Sequence, residues 1–294
     1  MSTRVHHERV RGDGVELHVA RVGEGPPVVL LHGFPEDWRS WKHQLPALAG
    51  AGFTAVAPDL RGYNESDRPP ERSAYHLRHL VADAAAIVRA TGHDKAHIVG
   101  HDWGGILAWT LAGAHPELVD TLVILNAPHL AIYMEKATRP SLQMLRAWYL
   151  LFFRVPRLPE WALSRRDFAA VRDLFRHRPK QPAFSEEDVD GYVRALARPG
   201  ALTAALNWYR ANLGAADAIR LAAGARFDGP VLVIWGEHDP ALGVELLEGL
   251  ERVAPRARVH RIARASHWVQ NEAPEEVNRV MIEFMHAEST LNRR

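Results

Sequence analysis

The stretch Ile98-Val99-Gly100-His101-Asp102-Trp103-Gly104-Gly105 decides how the chain is read. The apolar run Ala96 to Val99 just before the turn predicts a short buried strand. The residues after it, Ile106 to Ala114, predict a helix that His115-Pro116 ends. Glycine stands two residues before and two after Asp102, as a strand–turn–helix so sharp that side chains would clash requires. Such a turn lifts its central residue clear of the sheet, often in a backbone state that costs about 1–3 kcal/mol. The residue lifted here is an aspartate rather than a serine, and the chemistry follows from that difference.

Outward from this turn, short apolar runs recur. Val15, Leu17 and Val19 alternate with polar residues after Gly12-Asp13-Gly14 and predict one arm of an antiparallel hairpin. Val28 to Leu31, Phe53 to Ala57, Leu122 to Leu125 and Val231 to Trp235 predict buried strands, and Arg258 to Ile262 a weaker one. Helix-like stretches such as Leu77 to Ala90 and Glu275 to His286 lie between them. The alternation predicts an α/β fold with a mostly parallel central sheet flanked by helices. It breaks between Pro128 and Asp228, where only helix-like segments occur, rich in proline, arginine and aromatic residues. The expected organisation is therefore a core over residues 1–128, an inserted helical cap over 129–228, and the rest of the core over 229–294.

Composition narrows the classes of function. Of 294 residues, 36 are Lys or Arg and 35 Asp or Glu, so a net charge of +1 provides no long-range attraction to nucleic acid or to an anionic membrane. Zero cysteines exclude disulfides, thiol nucleophiles and cysteine-ligated metals. The N-terminus Met1-Ser2-Thr3-Arg4-Val5-His6-His7 lacks the apolar core of a signal peptide, and no apolar run approaches the ~20 residues of a membrane span. A cytoplasmic location is expected. Among 17 histidines, the pairs His76/His79 and His93/His97 have helical spacing without a supporting third ligand, so no metal site is expected.

An aspartate at the apex of the turn needs a base and an orienting acid from elsewhere. Val233-Ile234-Trp235-Gly236-Glu237-His238-Asp239 is a strand ending in a polar turn, which makes Asp239 the acid candidate. Ala265-Ser266-His267-Trp268 lies in a loop before the last helix, which makes His267 the base candidate. Asn126, after the preceding strand, cannot serve as a carboxylate. His101 and His32 are expected to shape their loops.

Together, His32-Gly33-Phe34-Pro35, Pro58-Asp59-Leu60-Arg61-Gly62-Tyr63, the turn from Gly100 to Gly105, Gly236 to Asp239 and Ser266-His267 resemble the α/β-hydrolase superfamily over essentially the whole chain. One departure is Asn64, where relatives commonly carry glycine; asparagine tolerates a left-handed backbone better than most residues. A carboxylate nucleophile suits displacement at saturated carbon and an alkyl-enzyme ester, hydrolysed by a water that His267 activates. The oxyanion then forms on Asp102, with the backbone N–H groups of Phe34 and Trp103 as expected donors.

The cap segments Arg146 to Phe153 and Leu206 to Arg210 resemble the two cap helices of epoxide hydrolases. That resemblance implies that Tyr149 and Tyr209 bind and protonate the epoxide oxygen, with Pro35, Trp148 and Trp268 around the substrate. It also implies water as the sole co-substrate and no cofactor. Haloalkane and haloacid dehalogenases share the aspartate nucleophile and are the alternative. The fluoroacetate type usually carries arginines after the nucleophile, where this chain has Trp103-Gly104-Gly105. A non-catalytic binding protein on the same fold is the third reading, and nothing in a receptor requires the Asp–His–Asp set. Oligomeric state and the particular substrate are not readable from the sequence.

Overall fold

A computed structural model describes residues 4–137 and 142–291. Eight strands form one sheet: β1 His6–Arg11, β2 Glu16–Val22, β3 Pro27–Leu31, β4 Thr54–Pro58, β5 Ala96–His101, β6 Val119–Leu125, β7 Val231–Gly236 and β8 Ala257–Ile262. Their order is β1-β2-β4-β3-β5-β6-β7-β8. The β1–β2 and β2–β4 pairs are antiparallel and the remaining pairs parallel. The described residues include twelve α-helices: α1 Gln44–Gly50, α2 Leu77–Ala90, α3 Trp103–Ala114, α4 Leu130–Ala137, α5 Leu142–Arg146, α6 Trp148–Arg154, α7 Leu158–His177, α8 Glu186–Leu196, α9 Ala201–Asn212, α10 Ala216–Ala223, α11 Val269–Glu272 and α12 Pro274–Leu291.

The central strands are apolar throughout because both faces are covered. Successive side chains point to opposite faces of a strand. Val29, Leu31, Ile98, Ile124 and Val233 accordingly pack with residues of α2 and α3, while Val28, Leu30, Val99, Val123 and Ile234 pack with α1 and α12. The antiparallel edge reads differently: β1 is exposed at every position but Val10. The strand expected from Phe53 begins at Thr54, the one expected at Leu122 begins at Val119, and α2 spans Leu77–Ala90 as predicted.

Between β6 and β7 every described element is helical. Helix α9 packs on α6 and on the Arg72–Tyr75 turn, and α10 packs on α2 and α3. Helix α7 is interrupted at Arg165–Phe168, where Arg166, Asp167 and Phe168 have positive φ. The loops after β3, β5, β6 and β7 all open at the carboxyl edge of the parallel strands, the edge that hosts sites in such sheets. Among the described residues no helix is long and apolar enough to cross a membrane.

Candidate active site

The turn after β5 is as tight as its glycines imply. Asp102 sits at φ 50° and ψ −120°, and α3 begins at the next residue, three earlier than the apolar pattern suggested. A Cβ on Gly104 would lie 2.1 Å from the Leu31 carbonyl oxygen, and one on Gly33 would lie 2.5 Å from the Asp102 Cβ. Glycine is therefore required here for close approach. Asn64, the departure noted above, adopts φ 39°.

The structure brings Asp102, Asp239 and His267 together from three separate loops. His267 Nδ1 is 2.7 Å from Asp239 Oδ2, and His267 Nε2 is 3.8 Å from Asp102 Oδ2. Asp239 is buried and accepts backbone N–H bonds from Ala241 at 2.8 Å and Leu242 at 2.9 Å. Burial alone would raise its pKa, but the His267 charge and these donors hold it below the ordinary carboxylate value. Burial alone would lower His267, but the Asp239 charge and hydrogen bond, with Asp102 and Glu36 behind them, push it up to about 9. His267 thus carries its second proton at neutral pH, with Asp239 on one side of the ring and Asp102 on the other.

Phe34, joined to Pro35 by a cis peptide bond, donates its N–H to Asp102 Oδ1 at 2.9 Å. Trp103 follows directly, but no capping bond is made to the Asp102 side chain. Of the two expected oxyanion donors, one touches the carboxylate and the other begins the helix beside it.

The cavity above Asp102 is walled by apolar side chains, among them Leu77, Ile106, Pro128, Leu130, Leu150 and Leu213, together with Trp103, Tyr133, Tyr149 and Tyr209. Tyr209 is held edge-on by aromatic neighbours: Phe153 at 4.9 Å, Trp103 at 5.1 Å and Phe34 at 5.5 Å between ring centres. Tyr149 meets Tyr209 edge to face at 6.4 Å. Burial, reinforced by the Asp102 charge, pushes both phenols well above their ordinary pKa, so both keep their protons. Arg210 fixes the two helices that carry them. It donates to the Phe153 and Val155 carbonyls at the end of α6 and pairs with Glu160 on α7.

Three residues expected around the substrate do not line this cavity. Trp148 is 66% exposed, because one residue along a helix turns a side chain by about 100° and it is Tyr149 that faces inward. Trp268 is buried behind the site, 5.1 Å from the His267 ring and packed against Phe175 of α7 and Phe184 in the loop before α8. Pro35 is buried beneath the loop it shapes.

The contacts of other positioning residues emerge only in the structure. Asn126, at φ 39°, donates to Asp239 Oδ2 at 2.8 Å and accepts from Gly236 N–H at 2.8 Å. The buried His101 ring links Glu36 Oε2, at 2.9 Å, to the His267 carbonyl, also at 2.9 Å. Glu272 accepts from Ser266, beside His267, and from the backbone of Lys180 and Gln181. Their sequence signal was weak, since Glu36 and Glu272 lie outside the quoted motifs. His32 bonds Gly33 O and Leu60 N–H, shaping its loop as expected.

A sheet of this order, with an aspartate raised on a tight turn between β5 and α3 and paired with histidine, matches a known family. The family model described as "alpha/beta hydrolase fold" matches residues 26–274. The chain is 37% identical over 279 residues to the AB hydrolase superfamily protein YfhM of Bacillus subtilis (strain 168), covering 94% of this chain and 96% of that one. It is 35% identical over 289 residues to Epoxide hydrolase 4 of Mus musculus, covering 96% of this chain and 79% of that one. A crystal structure of Bacillus megaterium epoxide hydrolase in complex with an inhibitor superposes with a TM-score of 0.86 at 31% identity, over 95% of this chain and 100% of that one. The chain belongs to the alpha/beta hydrolase fold family and, within it, to the epoxide hydrolase family.

Proposed function

We propose that this protein opens an epoxide to a vicinal diol through an ester on Asp102. The observation that carries the reading is the pair of protonated phenols, Tyr149 and Tyr209, lining one apolar cavity with Asp102. A halide leaves as a stable anion, whereas an opening epoxide makes an alkoxide that needs a proton. Two phenols held above an aspartate meet that need.

In the first half-reaction an Asp102 oxygen attacks a ring carbon, the C–O bond breaks, and the alkoxide takes a phenol proton. Forming the ester removes the Asp102 charge, one of the interactions that raise His267. The imidazolium then gives its proton back to the phenolate and is left neutral, as a general base must be. In the second half-reaction His267 takes a proton from water while the hydroxide adds to the carbonyl carbon of Asp102. Phe34 N–H, with Trp103 N–H nearby, stabilises the oxyanion, and collapse releases the diol and restores the carboxylate–imidazolium pair. Asp239, held by Asn126 and two backbone amides, keeps His267 in one tautomer.

Residues 1–128 and 229–294 act in this reading as the hydrolase core and 129–228 as the cap that closes over it. The substrate is an apolar epoxide, water is the second substrate, no cofactor takes part, and the cytoplasm is the place of action. Single turnover in heavy-oxygen water tests the route. Label is expected in Asp102 before it reaches the diol over repeated turnovers. Label passing straight from water to the first diol would refute the covalent route, and halide release with inert epoxides would replace the reading with a dehalogenase.

A further inference from the structure

The surface of the inserted helices carries a feature that the reaction does not use. Among the described residues nine large hydrophobic side chains are exposed, and eight of them lie between Leu142 and Trp161. Leu142, Leu145, Trp148 and Leu151 recur every third residue across α5 and α6. The Ala147 N–H bonds the Gln143 carbonyl at 3.1 Å and the Met144 carbonyl at 3.3 Å, so α5 runs directly into α6 and the four side chains form one exposed apolar stripe along the chain. Val155, Leu158 and Trp161 continue the stripe into α7. Isolated exposed leucines need no explanation, but a concentration of this kind marks an interaction surface.

The charge around the stripe identifies what covers it. Residues 142–167 include five arginines, at 146, 154, 157, 165 and 166, against two acids, Glu160 and Asp167; Arg146 is paired with Glu245, and Asp167 with Arg172. Glu160 is already paired with Arg210. Arg154, Arg157, Arg165 and Arg166 are exposed, and the Arg165 guanidinium lies 4.3 Å over the Trp161 ring. A second copy meeting this face across a two-fold axis would set arginine against arginine. An anionic lipid surface offers charge of the opposite sign, acyl chains for the leucines, and a headgroup layer that suits tryptophan and arginine.

We propose that the face formed by α5, α6 and the start of α7 docks on anionic lipid bilayers, lying in the headgroup layer without spanning it. Helix α6 then presents Trp148 and Leu151 to lipid while Tyr149 and Leu150, on its other side, wall the cavity above Asp102. An apolar compound dissolved in the bilayer would meet the enzyme at the helix that borders its site. Docking itself does not depend on what that site does.

The test is co-sedimentation of the full chain with sucrose-loaded vesicles of phosphatidylcholine, with and without about a third phosphatidylglycerol. Binding is expected to the mixed vesicles, weakening with salt and with each arginine removed by about fivefold. Two variants are compared, Leu151→Ser/Leu158→Ser/Trp161→Ser and Arg157→Glu/Arg166→Glu. Each is expected to stay in the supernatant while hydrolysing a water-soluble epoxide, or keeping the far-ultraviolet spectrum, like the parent. Should the serine variant misfold, the charge-reversed one still decides. Absence of binding to mixed vesicles, equal binding by a folded variant, or a dimer that the serine substitutions dissociate while vesicles bind nothing would each overturn the proposal.

Discussion

His267 is where the chemistry is most exposed to measurement. Its pKa of about 9 comes chiefly from Asp239, acting against burial that favours the neutral ring. In Asp239→Asn the burial remains and the opposing charge is gone. A nuclear magnetic resonance titration should then place His267 below the parent value by more than one unit, and an unchanged midpoint would contradict the assignment. In His267→Gln the nucleophile and phenols remain, so epoxide should still open while the ester persists. Mass spectrometry should find the substrate's mass added to the peptide carrying Asp102. Tyr149→Phe with Tyr209→Phe removes both proton donors, and ring opening should slow by about 10²–10⁴-fold with the fold retained. Parent-like turnover by that double variant would dismiss the phenols from the mechanism.

At the scale of single elements, the turn between β5 and α3 and the clamp between α6 and α9 carry the site. Gly104, in the first turn of α3, cannot accept a methyl group without moving the carbonyl of Leu31 in the parallel sheet. Gly104→Ala should destabilise by about 3 kcal/mol or more, read from chemical denaturation. Arg210 satisfies two helix-terminal carbonyls and an ion pair, so Arg210→Met should cost about 2–3 kcal/mol. It should also lower kcat for ring opening by loosening Tyr149 relative to Tyr209. The elements themselves were largely readable. Alternating and continuous apolar runs located the strands, because burial on one or two faces leaves its mark on composition. The facing of α6 was less readable: Trp148-Tyr149-Leu150-Leu151-Phe152-Phe153 is apolar all round, so periodicity could not tell the cavity side from the solvent side.

Across the whole molecule, charge and stability are distributed unevenly in ways that totals conceal. The net charge of +1 is compatible with a strongly cationic apolar face, because the acids that balance it lie elsewhere. Stability should also depend on pH through His267. A histidine raised in the folded state stabilises fully below its unfolded value of about 6.5, and that contribution is lost as pH rises through about 9. The melting-temperature difference between the parent and His267→Gln should therefore shift against the parent between these two values. A difference independent of pH would show that His267 gains nothing from its carboxylates.

By itself the sequence determined the sheet and its flanking helices, the aspartate at the tight turn, and the order in which acid and histidine follow. These are local properties, set by glycine spacing, apolar periodicity and position after a strand. Only the tertiary structure decided which side chains meet. It set Asn126 under Asp239, linked His101 between Glu36 and the His267 backbone, turned Tyr149 inward and Trp148 outward, and gathered the exposed leucines beside exposed arginines. Those relations join residues up to 166 positions apart, as His101 and His267 are. Their partners are chosen by how the layers pack, which no stretch of chain contains.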